Sequence, residues 1–164
     1  MTVQLREMSV DDLPALWQIF REIIREGVSY PHDESTTEPD FVSYWTARGG
    51  EQWVAVLDDR VVGGYTLRSN QPGRGGHTGT ASYVVAEEAR GKSIGRALGE
   101  HSLLRAPHLG FSAVQFNLVV STNERAVALW RGLGFRVLGT LPRAFEHRTL
   151  GRVDAFVMYR ETGR

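Results

Sequence analysis

The stretch Tyr83–Leu98, YVVAEEARGKSIGRAL, reads as a strand, a short basic turn carrying glycine, and the start of a helix. Such a turn exposes several main-chain N–H groups beside the positive end of a helix dipole. Arg90, Lys92 and Arg96 add positive side chains on the same side. The matching ligand is a phosphate or, better, a pyrophosphate. The bland alternative is a surface turn whose basic residues are merely solvated, and the coincidence of glycine, charge and helix start argues against it. Gly91-Lys92-Ser93 mimics the end of a Walker-type loop, but G-x-x-x-x-G-K-[ST] needs glycine at position 86, where this chain has Ala86. A G-x-G-x-x-G dinucleotide fingerprint is absent as well.

Downstream, the helix runs from Ser93 to about Arg105, with Ile94, Ala97, Leu98 and Leu104 on one side and Pro107 closing it. Ala113–Val120 (AVQFNLVV) is rich in β-branched and aromatic residues and predicts a strand. Ser121-Thr122-Asn123-Glu124 reads as a capping box for a helix whose face is Ala126, Leu129, Trp130 and Leu133. Gly134 permits a turn into strands near Phe135–Leu141 and Val153–Tyr159.

Upstream, Thr80–Val85 is a strand, preceded by Gln71–Gly79 (QPGRGGHTG) with four glycines in nine residues, which predicts a mobile surface loop. Trp53–Leu57 and Val61–Leu67 form a hairpin across Asp58-Asp59-Arg60. Before it, the polar Ser29–Pro39 leads to a short helix through Phe41, Val42 and Trp45. Ser9–Asp12 opens a helix whose stripe is Leu13, Leu16, Trp17, Phe20 and Ile24, ended by Gly27 and Pro31, and Val3–Met8 alternates like a strand. The order β-α-α-β-β-β-α-β-α-β-β predicts one mixed α/β domain over residues 1–164.

Composition narrows the chemistry. The 164 residues carry nineteen Lys+Arg against nineteen Asp+Glu, so no global basic field exists to hold nucleic acid or an anionic membrane. Cysteine is absent, which excludes disulfides, Cys-based zinc sites, iron–sulfur clusters and an acyl-Cys intermediate. The five histidines show no metal-ligand spacing, so no metal is expected. MTVQLREMSVDDL lacks the basic-then-apolar pattern of a signal peptide, and no apolar run is long enough for a membrane span. A cytoplasmic protein is expected.

Arg90, Gly91, Lys92, Ser93, Ile94 and Gly95 resemble the acetyl-CoA loop [QR]-x-x-G-x-[GA] of the GNAT superfamily of N-acetyltransferases, with Ser93 where the family has its first glycine. Asn123-x-x-Ala126-x-x-Leu129-Trp130-x-x-Leu133-Gly134-Phe135 is similar to the family's later motif N-x-x-A-x-x-[LF]-Y-x-x-x-G-F, with tryptophan replacing its tyrosine. The resemblance covers essentially the whole chain. It implies the GNAT fold, a mixed sheet of about seven strands with helices on both faces and a splayed strand pair holding acetyl-CoA. Tyr83, Val84 and Val85 would then pair with pantetheine, and one amide there, placed at Val85, would polarise the thioester carbonyl. Arg90–Arg96 would hold the pyrophosphate, with Asn123, Ala126 and Trp130 on the cofactor's far wall. The family tyrosine protonates the departing thiolate. An indole cannot act as an acid at neutral pH, so Trp130 is either a catalytic-position residue or a core aromatic.

A narrower resemblance, carried by Tyr30-Pro31, Phe116–Val120 and Gly151–Ala155, is to fungal and bacterial N-acetyltransferases that modify proline analogues such as azetidine-2-carboxylate. It implies a small amine or amino acid as acceptor, with Asn117, Leu118 and Tyr30 beside it. Deprotonating the amine needs a base or a water path. His32, Asp33, Glu34, Glu38, His77, Glu146 and His147 are available, and Glu34 or His77 is the choice made on sequence. Peptide acceptors and a non-catalytic acyl-CoA-binding module are the competing functions. Superfamily members are often dimers, which leaves a homodimer open.

Overall fold

The computed structural model describes residues 2–47 and 50–163. Local chemistry sets the element ends. Strand β1 (Gln4–Glu7) leads to a capping box in which the Asp12 carboxylate accepts from Ser9 N at 2.7 Å and takes both nitrogens of Arg6 at 2.7 and 2.8 Å. The Arg6 guanidinium holds the Asp12 carboxyl down at about 2. Helix α1 (Leu13–Glu26) follows, burying Leu16, Trp17, Ile19, Phe20, Ile23 and Ile24, and stops at Gly27 with φ +66°. Helix α2 (Glu38–Trp45) opens on a second capping box, Thr37 with Asp40, and buries Phe41 and Trp45. The hairpin of β2 (Glu51–Leu57) and β3 (Arg60–Ser69) turns at Asp58 and Asp59, both at positive φ, as a tight two-residue hairpin turn requires.

The second half comprises β4 (Thr78–Val85), α3 (Ile94–Arg105), β5 (Ala113–Val120), α4 (Glu124–Gly132), β6 (Arg136–His147) and β7 (Gly151–Glu161). All seven strands join one sheet in the order β1-β2-β3-β4-β5-β7-β6. Every neighbouring pair is antiparallel except β4 and β5, which are parallel and touch only at Thr78↔Ala113 and Gly79↔Val114. Beyond that point the two strands separate. The sheet is therefore open along its centre line between Thr80–Val85 and Gln115–Val120.

Each face carries two helices. A Cβ on Gly64 would meet Leu16 of α1, whereas one on Gly63 would meet Leu98 of α3. Tyr44 of α2 reaches Ser82, while the Tyr83 hydroxyl reaches Ser102 of α3. Helices α1 and α2 thus lie on one side and α3 and α4 on the other.

Several local expectations shift. The glycine-rich segment is shorter than Gln71–Gly79, because Gly73–Gly75 makes one 3-10 turn and β4 begins at Thr78. Gly79 is glycine for packing, since a Cβ there would fall 2.7 Å from the Phe111 ring. Leu104 is 70% exposed, and α3 instead buries Ile94, Leu98, Gly99 and Ser102. A Cβ on Gly99 would lie 2.7 Å from Leu133 and 3.1 Å from Trp130, so a bare turn of α3 is what lets α4 approach. The cap of α4 is Asn123, whose side chain accepts from Ala126 N, rather than Ser121. Strands β6 and β7 are each longer than predicted.

Candidate active site

Along β4, Thr78 O accepts from Asn70 N and Ala86 N donates to Val62 O, both toward β3. The pairing between is regular, so alternation turns the main-chain groups of Thr80, Ser82 and Val84 to β3 and those of Ala81, Tyr83 and Val85 into the opening. Of the three residues expected to pair with a pantetheine arm, Val84 is therefore already spent on β3. Tyr83 and Val85 remain. The Tyr83 carbonyl accepts from the Tyr30 hydroxyl at 2.7 Å, which leaves the Tyr83 N–H and both polar groups of Val85 free among the described residues, with Val85 nearer the open end.

At that end the chain turns through Gly91 (φ +78°) and Ser93 (φ +60°, ψ +17°) into α3. Ser93 adopts the left-handed conformation that glycine takes cheaply, without a side-chain capping bond to offset it. The first-turn amides of Ile94, Gly95 and Arg96 have no intrahelical acceptor and point out of the helix. Around them Arg90 grips Glu26 of α1 at 2.6 and 3.3 Å, and Arg96 pairs with Glu100 at 3.4 Å. Both pairs are partly exposed, the kind that contributes little and yields readily to another anion. Lys92 makes no ion pair among the described residues.

Trp130 is 8% exposed, with its ring 4.7 Å from Tyr83 of β4 and 4.7 Å from Phe116 of β5. It spans the opening from the α4 side as a floor shared by both strands. On the α1–α2 side the opening meets a different surface. Tyr44 Oη and Ser82 Oγ share a 2.5 Å hydrogen bond, and Arg68 Nη2 donates to Ser82 Oγ at 3.4 Å. The Arg68 guanidinium stacks over the Tyr44 ring at 4.9 Å, and the His32 ring lies 4.5 Å from the same ring. Burial first, then the Arg68 charge, pushes the His32 pKa down, so the imidazole is neutral at pH 7. Burial also pushes Tyr30 well above the ordinary tyrosine value, keeping it a donor.

The family model for the acetyltransferase (GNAT) family matches residues 13–135. This chain belongs to that family. The GCN5-related N-acetyltransferase of Kribbella flavida is 42% identical, superposes with a TM-score of 0.93 and shares 97% of each chain. A GNAT-superfamily phosphinothricin acetyltransferase from Sinorhizobium meliloti, solved in complex with acetyl-CoA, is 26% identical with a TM-score of 0.89, over 99% of this chain and 90% of that one. N-acetyltransferase aca1 of Schizosaccharomyces pombe is 35% identical over 98 residues, 59% of this chain, and the match spans just under half (47%) of that relative's length.

The residues expected from sequence in this GNAT chain separate into groups. Arg90–Arg96 and Val85 converge on the open end of β4. Asn123 and Ala126 sit at the start of α4, bonded to one another. Asn117 and Leu118 occupy a bulge where β5 carries one residue more than β7 between Phe116↔Met158 and Val119↔Phe156. Asn117 is exposed, donating to Asn70 Oδ1 at 2.7 Å and accepting from Gln115.

Neither preferred base reaches the opening. Glu34 is two-thirds exposed in a groove with Trp17, Arg21, Ile24, Arg25 and Thr36, 3.8 Å from Arg148. His77 is exposed at the closed end, where its carbonyl accepts from Ser112 N. Six residues of extended chain, about 20 Å, separate it from Tyr83. The structure instead brings in His32, one of the weaker sequence candidates, together with Arg68, Tyr44 and Ser82, which sequence analysis missed. Their positions, on α2, β3, β4 and the loop after α1, share no local motif. The one available signal was Arg68 directly after the apolar run of Val61–Leu67.

Proposed function

We propose that this protein is an acetyl-CoA-dependent N-acetyltransferase whose acceptor is the amine of a small amino acid or amino-acid analogue, attacked directly within a ternary complex. The observation that carries the reading is the central opening, reached by a phosphate-type loop from the α3–α4 side and by a polar aromatic pocket from the α1–α2 side. Two ligands can meet there through the sheet. Acetyl-CoA supplies an activated acetyl thioester when bound.

The remaining work falls to the chain. The amides of Ile94, Gly95 and Arg96, with Lys92, Arg90 and Arg96 around them, take the pyrophosphate. The gap-facing edge of β4 receives the pantetheine arm, and the Val85 N–H, aimed into the opening, stabilises negative charge on the acyl oxygen. His32, neutral and without an ion pair among the described residues, accepts the amine proton directly or through a water. Trp130 orders the floor without donating a proton. A thiol pKa of ~8.5 lets the thiolate leave unprotonated at a cost of about 2 kcal/mol at pH 7, so no acid is obligatory. The absence of cysteine is consistent with transfer without an acyl-enzyme. The likeness to the phosphinothricin enzyme supports an amino-acid-like acceptor, and the proline-analogue motifs point within that class to azetidine-2-carboxylate and its kin.

The test is calorimetric titration with acetyl-CoA followed, in the same sample, by thiol release with a panel containing azetidine-2-carboxylate, proline analogues, phosphinothricin and methionine sulfone. Binding plus release with one of them is expected. Binding without release for any amine, peptides included, turns the reading to a non-catalytic acyl-CoA-binding module.

A further inference from the structure

The α1–α2 side of the opening contains an electrostatic imbalance. Arg68 Nη1 is buried and has no hydrogen-bond partner. Its sister nitrogen has one long bond, 3.4 Å to Ser82 Oγ. The guanidinium forms no ion pair with any described residue, although six other arginines do. Against the same Tyr44 ring, 4.5 Å away, lies His32, whose Nδ1 is also buried without a partner. The other neighbours are the hydroxyls of Tyr44 and Ser82 and the Tyr44 ring.

Burying a guanidinium donor without an acceptor is costly, and the cost is relieved when an anion arrives. The geometry suits one class of anion. Arg presents a planar fork that pairs bidentately with a carboxylate. The fork is held from below by the Tyr44 ring and from one side by Ser82, and Ser82 precedes the residue whose carbonyl faces the opening. An acid group seated on Arg68 would therefore leave the rest of a small acceptor at the mouth of the opening, facing the cofactor side.

We infer that Arg68, supported by Tyr44 and Ser82, is the subsite that takes the carboxylate of the acceptor and makes this enzyme select amino acids over simple amines. The inference rests on the transferase reading above for what the ligand is, but its test does not depend on turnover. A charge-assisted bidentate pair of this kind is worth about 10- to 100-fold in affinity.

The experiment compares wild type, Arg68→Met and Arg68→Lys, each saturated with CoA, by melting temperature and calorimetric titration. The probes are azetidine-2-carboxylate, methionine sulfone and phosphinothricin, each beside the amine that lacks its α-carboxylate. Wild type is expected to bind at least one acid about 10- to 100-fold more tightly than its amine. Arg68→Met is expected to lose that preference while melting at or above the wild-type temperature, because the buried, unpartnered Nη1 donor has gone. Arg68→Lys retains the charge without the fork and should fall between them. Equal affinity for acid and amine in wild type, an undiminished preference in a folded Arg68→Met protein, or no binding of any acid each overturns the subsite. If wild type binds the acids with the expected preference but releases no thiol from acetyl-CoA, the subsite stands and the transferase reading falls.

Discussion

The two sides of the central opening are built on opposite plans. The α3–α4 side offers main chain: the Val85 edge, the turn through Gly91 and Ser93, and the first amides of α3. Its charged side chains are exposed, and two of its three cations are paired to nearby acids. The α1–α2 side offers side chains, gathered from four separate segments, packed on aromatic rings, with one cation left without a counter-charge among the described residues. A cofactor common to a large family can be met by backbone, whose donors do not change when residues do. An acceptor that varies between relatives has to be met by side chains.

If that contrast is right, the largest single loss on the cofactor side comes from removing one N–H. Val85→Pro deletes the amide that faces the opening and leaves the β3 ladder untouched, since Val85 directs its polar groups away from β3. The expected result is a 100- to 1000-fold fall in kcat with acetyl-CoA affinity changed far less, read by thiol-release kinetics on protein whose melting curve shows it folded. A fall confined to KM would mean that this edge only binds.

On the acceptor side the corresponding change is His32→Gln, expected to lower kcat/KM about 100-fold. The wild-type pH profile gives an independent sign. Because burial and Arg68 favour the neutral imidazole, activity should persist as pH drops through the free-histidine value of ~6.5 and fall only below it. In Arg68→Met the positive neighbour is absent, so the acid limb should move up toward that value. An acid limb that stays put in the variant would separate His32 from the reaction.

The same contrast governs what the sequence could reveal. The turn at 90–95 was legible despite Ser93, because a strand, a glycine-bearing basic turn and a helix start are contiguous and their chemistry is local. Element order was legible for the same reason. Leu104 was misplaced because Gly99 and Ser102, not another apolar residue, fill the buried stripe of α3, a consequence of how closely α4 packs. Arg68 shows locally only as the first charge after Val61–Leu67, since its partners come from Tyr44 and Ser82 and depend on the sheet bringing them together. Glu34 and His77 stand out by residue type and loop position, and neither property measures distance to the opening.

A smaller effect tests how the two sides are joined. Tyr30, from the loop after α1, donates to the gap-facing carbonyl of Tyr83, so a residue of the α1–α2 side fixes the edge of β4 that faces the opening. Tyr30→Phe strands that carbonyl and should cost about 1–2 kcal/mol, measured by denaturant melts. Its protonated state is held by burial, so the difference from wild type should not vary between pH 6 and 9. A pH-dependent difference would mean that Tyr30 ionises in use.

The smallest expected effect is a gain. Gly91 and Ser93 both sit at positive φ, at +78° and +60°, but only one of them is glycine. A serine in the left-handed region costs about 1 kcal/mol relative to glycine, and no side-chain cap bond at Ser93 returns it. Ser93→Gly removes the strain in the folded chain, while added freedom in the unfolded chain cancels part of the gain. The net expectation is stabilisation by about 0.5 kcal/mol, with Gly91→Ala destabilising by about 1 kcal/mol as the mirror control. If the serine hydroxyl is kept as a phosphate donor, the same Ser93→Gly protein should melt higher yet bind CoA a few-fold more weakly. Tighter binding together with higher stability would leave the loop's backbone as the whole of its contribution, which is the stronger form of the contrast between the two sides.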